Sequence, residues 1–197
     1  RKLATRIQMK LPRGARGMPY ADRAALLAKA DLVTLMVREF PELQGVMGGL
    51  YAGASESAAV AEGIRWHYHP VAMEATAAPA GRVSGDGARV FTLVALADKL
   101  DTLTGYLGIG ATPSGSSDPY GLRRAGQGVV RLLLDFWPTD REFSLEAVLQ
   151  TAREGFGAAL TRPEDELRAA LRAFLLDRLR GVLTARGAAA DEIDAVL

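Results

Sequence analysis

The chain contains no cysteine. That excludes disulfides, thiolate metal sites and cysteine nucleophiles, and it is compatible with a reducing compartment. Histidine is nearly absent too, with only His67 and His69. No run of eighteen apolar residues occurs, so no transmembrane helix is expected. The opening RKLATRIQMKLPRG has no apolar centre of the signal-peptide kind. Alternating runs of β-branched residues, a nucleotide-binding glycine loop, ATP-binding signatures and internal repeats are all missing. The serines around 113–117 have no basic partner nearby in sequence and read as turn and capping residues, so no catalytic group is assigned.

What remains is an ordinary globular composition, 49% hydrophobic and 24% charged over 197 residues. The net charge of +1 hides an asymmetry. Residues 1–30 hold eight Lys or Arg against Asp22 alone, and the remainder is acidic. A basic end on an acidic body can hold phosphates, although a solvated arm explains the same pattern.

Helical periodicity dominates, and the chain is read as all-α. Residues 1–19, broken by Pro12, Gly14, Gly17 and Pro19, are expected to be an extended or partly ordered lead-in. A helix is predicted over 21–40 with Leu26, Leu27, Ala30, Val33, Val37 and Phe40 buried. A short glycine-weakened helix follows, then one from an N-cap at Ser55 to about Tyr68. Residues 71–89 read as a surface loop. The central helix is placed at 88–107, with Asp98 and Asp101 on one side beside Val94, Ala97, Leu100 and Leu107. Asp118-Pro119 signals a helix restart, with Arg123 and Arg124 in its first turn. Helices at 144–160 and from Pro163, capped by Gly187, precede a final helix starting at Asp191.

Asp31, His67, His69, Asp98 and Asp101 lie on or beside otherwise apolar faces. A buried carboxylate needs a cation, a helix end or a metal. Asp31, His67 and Asp98 come from separate helices, as ligands of a water-activating divalent ion often do. The pattern resembles the HD-type metal phosphohydrolases: LLAKAD (26–31) is similar to their Leu-Leu-His-Asp helix and LADKLD (96–101) to their final-aspartate helix. The first histidine and the histidine of the pair are absent, so Asp31, His67, Asp98 and Asp101 form a degenerate, metal-like pocket with no metal expected. In the simpler reading Asp31 and Asp98 pair with Lys29, Lys99 or an arginine. The alternative function is a metal-dependent HD-type phosphohydrolase using Asp31, His67 and Asp98.

A more specific resemblance rests on ALLAKADLVTLMVREFPELQGVMGGLYA (25–52), His67-Tyr68 with Pro70, VALADKLDTLTGYLGIGATPSGSSDPYGLRRAGQGVVRLLLD (94–135) and LLDRLRGVLTARGAAADEIDAVL (175–197). These segments resemble, in order, the interior of the β subunit of bacterial glycyl-tRNA synthetase, the α2β2 type. PRGARGMPY stands where that family has a longer helical segment. The resemblance implies an HD-like helical bundle over 21–137, after a basic lead-in at 1–20. Helices over 138–197 then lead toward an anticodon-binding domain. It implies a cytoplasmic, non-membrane fragment of a glycine-tRNA ligase, itself without catalytic residues or cofactor. ATP and Mg would be used by the α subunit, and the partners would be that subunit and glycine tRNA. Charge placement beside this resemblance nominates Arg123 and Arg124 for RNA contact, with Lys29, Arg13 and Arg16 behind them.

Overall fold

The computed structural model describes residues 2–9, 19–70, 83, 85–113, 118–137 and 144–197, and all of its regular structure is helical. Its organising element is α6, Gly85–Gly108, a 24-residue helix that is apolar on almost every side and therefore sits inside the bundle. Phe91, Leu96, Leu100, Leu103 and Leu107 of α6 are all essentially inaccessible. Around it pack α1 (Lys2–Met9), α7 (Leu122–Asp135), α8 (Leu145–Phe156) and α9 (Glu164–Ala185), which share one large core. On another side α2 (Pro19–Leu27), α4 (Val46–Ala52) and α5 (Ala58–Trp66) meet α6 in a smaller core of Ala24, Ala28, Ala52, Val60, Ile64, Val90 and Val94. The short α3 (Leu35–Glu39) and α10 (Ala190–Val196) complete the set.

Small residues permit the close approaches. A Cβ on Gly63 of α5 would lie 2.4 Å from Val90 Cγ1 of α6, and one on Gly128 of α7 would lie 2.6 Å from Lys99 Cε.

Several expectations are corrected. Of the lead-in expected over 1–19 as extended or partly ordered, residues 2–9 form a helix that buries Leu3, Ala4 and Ile7, and residues 10–18 lie outside the described residues. The helix predicted over 21–40 is three pieces: α2 ends at Leu27, a 3-10 turn covers Ala30–Val33, and α3 restarts behind Thr34, whose hydroxyl accepts from the Val37 N–H. The break changes the helical phase. Ala21, Ala24 and Ala28 face inward, whereas Leu26 is 52% and Val33 84% exposed; of the predicted stripe only Val37 is buried. Ser57, not Ser55, caps α5. The stretch 85–89 belongs to α6; residues 71–82 and 84 lie outside the described residues. Ser144 caps α8 through the Ala147 N–H, and Gly187, at φ 91°, follows the end of α9 as predicted.

Candidate functional site

The polar residues nominated from sequence cluster where α5 ends against the middle of α6. Asp31, in the 3-10 turn, is buried, and its Oδ2 accepts from the backbone N–H groups of Gly45 (2.6 Å) and Gly48 (3.1 Å). The carboxylate therefore holds the start of α4, and the expected lysine or arginine partner is replaced by peptide donors. Glycine at 48 makes room for this: a Cβ there would stand 3.0 Å from Asp31 Oδ2.

Asp98 does take a lysine. Lys29 Nζ lies 3.0 Å from Asp98 Oδ1 and 3.2 Å from Oδ2, and 3.8 Å above the Tyr68 ring. Lys99, the neighbouring lysine, points elsewhere. It is buried and donates to the carbonyl oxygens of His67 and Tyr68, each at 3.2 Å. Burial lowers its pKa to about 8. Burial also pushes the Tyr68 phenol up to about 12, helped by the charges of Asp31 and Asp98. The Asp101 carboxyl is raised by burial and then by Asp98.

His67 is wholly buried. Its Nδ1 lies 2.6 Å from the Ile64 carbonyl, which fixes the N–H on Nδ1, and Nε2 has no partner among the described residues. Burial first, and the Lys29 charge second, lower its pKa to about 4. His67, Asp98, Asp101 and Lys29 line one small cavity of about 210 Å³; Asp31 does not line it. His69 faces a different space, consistent with two histidines two residues apart.

That constellation does not fit a divalent metal. Among the described residues no group of three or more His, Asp or Glu could hold one. Asp31 is committed to two peptide N–H groups, and an ammonium already sits on Asp98.

The second space is a cleft of about 540 Å³ between the end of α5, α6 and the start of α7. Arg65, Lys99 and Arg124 contribute its positive charge, Glu42 and Asp98 its negative charge, and Tyr120 one wall. Because Lys29 offsets Asp98, the cleft carries an excess of two positive charges. Arg124 is exposed and Arg65 half-buried, and neither forms an ion pair among the described residues. Helix α7 starts at Leu122, later than predicted, because Asp118–Gly121 first closes a turn in which the Gly121 N–H donates to the Asp118 carbonyl. Gly121 adopts φ 65° at the helix entry, a left-handed conformation suited to glycine. The Asp118 carboxylate accepts from the Arg123 N–H at 3.1 Å, so Arg123 and Arg124 do fall in the first turn. Arg124 lines the cleft and Arg123 does not; Arg13 and Arg16 lie outside the described residues. Sequence reasoning missed Arg65 and Tyr120, which no motif marks.

Fold and site together define an all-helical module with a cation-lined cleft beside a core in which Asp31 Oδ2 accepts two peptide N–H groups and Asp98 is paired with Lys29. The chain belongs to the glycyl-tRNA synthetase beta subunit family, whose model matches residues 1–197. It is 47% identical over 178 residues to the glycine–tRNA ligase beta subunit of Aromatoleum aromaticum, covering 90% of this chain and 24% of that protein. The corresponding subunit of Moorella thermoacetica is 42% identical over 203 residues, covering 100% of this chain and 27% of that one. That of Paracidovorax citrulli is 46% identical over 181 residues, covering 90% and 23%. The chain thus spans about a quarter of the length of the curated relatives it matches. Among the described residues no helix is long and apolar enough to cross a membrane.

Proposed function

We propose that this chain is part of a cytoplasmic glycine-tRNA ligase β subunit and helps bind and position glycine tRNA for aminoacylation by an α subunit in an α2β2 assembly. The observation that carries the reading is the family match along the whole chain. The ATP- and Mg-dependent chemistry belongs to the α subunit in this reading. Residues 21–137 act as an HD-like bundle, and 138–197 lead toward an anticodon-binding domain. The bundle's part is positional: phosphate contacts fix the orientation of the RNA without reading its sequence.

The unpaired Arg124 guanidinium supports an RNA-facing edge at the start of α7. Arg123 shares its first turn, whereas the exposed Lys29 is engaged by Asp98 and the Tyr68 ring and contributes mainly to the local potential. A phosphohydrolase reading gains nothing from the geometry, since the carboxylates it needs are bound to other donors.

The test is titration of a glycine tRNA transcript at several salt concentrations. Arg123→Glu combined with Arg124→Glu is expected to weaken binding and to reduce the slope of log affinity against log salt by about two. An unchanged affinity and slope would remove these residues from the interface.

A further inference from the structure

The cleft that holds Arg124 has a feature that simple phosphate binding leaves unused. Tyr106 and Tyr120 stack with centroids 4.3 Å apart and planes 21° from parallel. Tyr106 thereby covers one face of Tyr120 and fixes its ring, yet Tyr120 remains 53% exposed and forms a wall of the cleft. A rigid aromatic face with an open side, next to guanidinium groups that have no carboxylate partner, is the arrangement that proteins use to hold a splayed-out base and its phosphate.

We propose that the cleft between α5, α6 and α7 receives one unpaired nucleotide of an RNA, with its base stacked on the open face of Tyr120 and its phosphate held by Arg65 and Arg124. This inference rests on the tRNA-binding reading and adds the form of RNA recognised.

Size decides between duplex and single strand. A space of about 540 Å³ is ample for one nucleotide and far too small for a helical segment. Charge supports the same occupant. Lys99 at the cleft wall is anchored by the His67 and Tyr68 carbonyls, so its ammonium is fixed and adds to the field felt by a phosphate. Glu42, which forms no ion pair among the described residues, would repel a second phosphate. It is also suited to accept from a base amino group or a ribose hydroxyl. The occupant chemistry is therefore one base, one ribose and one phosphate, supplied either by the end of an RNA or by a free nucleotide.

The experiment compares binding of the 197-residue chain to an RNA hairpin with a short single-stranded 3′ end, to the same hairpin made blunt, and to AMP as a competitor. The tailed hairpin is expected to bind about tenfold more tightly than the blunt one, the size of one base–aromatic stack. Tyr120→Ala should bring the two affinities together, and Tyr120→Phe, which keeps the ring, should restore the difference. Equal binding of both hairpins by the unsubstituted chain overturns the nucleotide cleft while leaving the tRNA reading intact. Failure to bind either hairpin overturns both. Competition by AMP at concentrations comparable to the tailed hairpin overturns the RNA assignment in favour of a free nucleotide.

Discussion

His67 shows how one buried side chain ties stability to pH. Its imidazole is sealed from solvent, donates from Nδ1 to Ile64, and leaves Nε2 bare toward a cavity shared with Lys29. Its pKa is about 4 in the folded chain and near the ordinary 6.5 once unfolded, so the unfolded state binds the proton more readily between those values. Stability from this group is therefore fully present above pH 6.5 and is lost as pH falls toward 4, by up to about 3 kcal/mol. Urea unfolding followed from pH 7 to pH 4 should show the loss, and His67→Gln should lessen it relative to the unsubstituted chain; parallel curves would show that His67 does not titrate this way. Much of this site was legible in the sequence as a set of polar residues on apolar faces. Its pairing was not, because Asp31 is satisfied by peptide N–H groups, which leave no mark in residue identity, and only the Lys29–Asp98 pair uses side chains.

At the level of elements, local signals located most helices and failed where tertiary contacts overruled them. The long apolar run of α6 and the apolar spacing of α9 were plain. The break between α2 and α3 was not, since ADRAALLAKADLVTLMVREF contains no proline or glycine. There Asp31 binds the start of α4 and Thr34 caps α3, and these bonds outweigh the continuous helix that propensity favours. Glycines express the same dependence on context. Gly63 lowers the intrinsic helix propensity of α5, yet it is what lets α5 rest against Val90 of α6. Gly63→Ala should gain intrinsic helix propensity of about 1 kcal/mol and still destabilise the chain, because the 2.4 Å contact forces two packed helices apart at a cost of about 1–3 kcal/mol. A thermal midpoint raised by Gly63→Ala would show that the interface yields easily.

For the whole molecule the question is whether the two sides of α6 behave as one cooperative unit. α6 supplies residues to both cores and also presents Lys99 and Thr102 to the cleft, so the cleft's geometry depends on packing behind it. The first helix enters that packing through Leu3, Ala4 and Ile7, with Ile7 fully buried among residues of α6 and α8. Reading the opening residues by their charge hid this, because a helix with three inward-facing residues gives only a brief periodic signal among lysines and arginines. Ile7→Ala removes most of a buried side chain, and the expected loss is about 3 kcal/mol. If the bundle unfolds as one unit, urea should bring down Trp66 on α5 and Trp137 beyond α7 together with the helical circular dichroism. The variant should move all three midpoints equally with an unchanged slope. If Ile7→Ala left the tryptophan midpoints in place, α1 would be a separately fraying helix, and the basic end could move without disturbing the cleft.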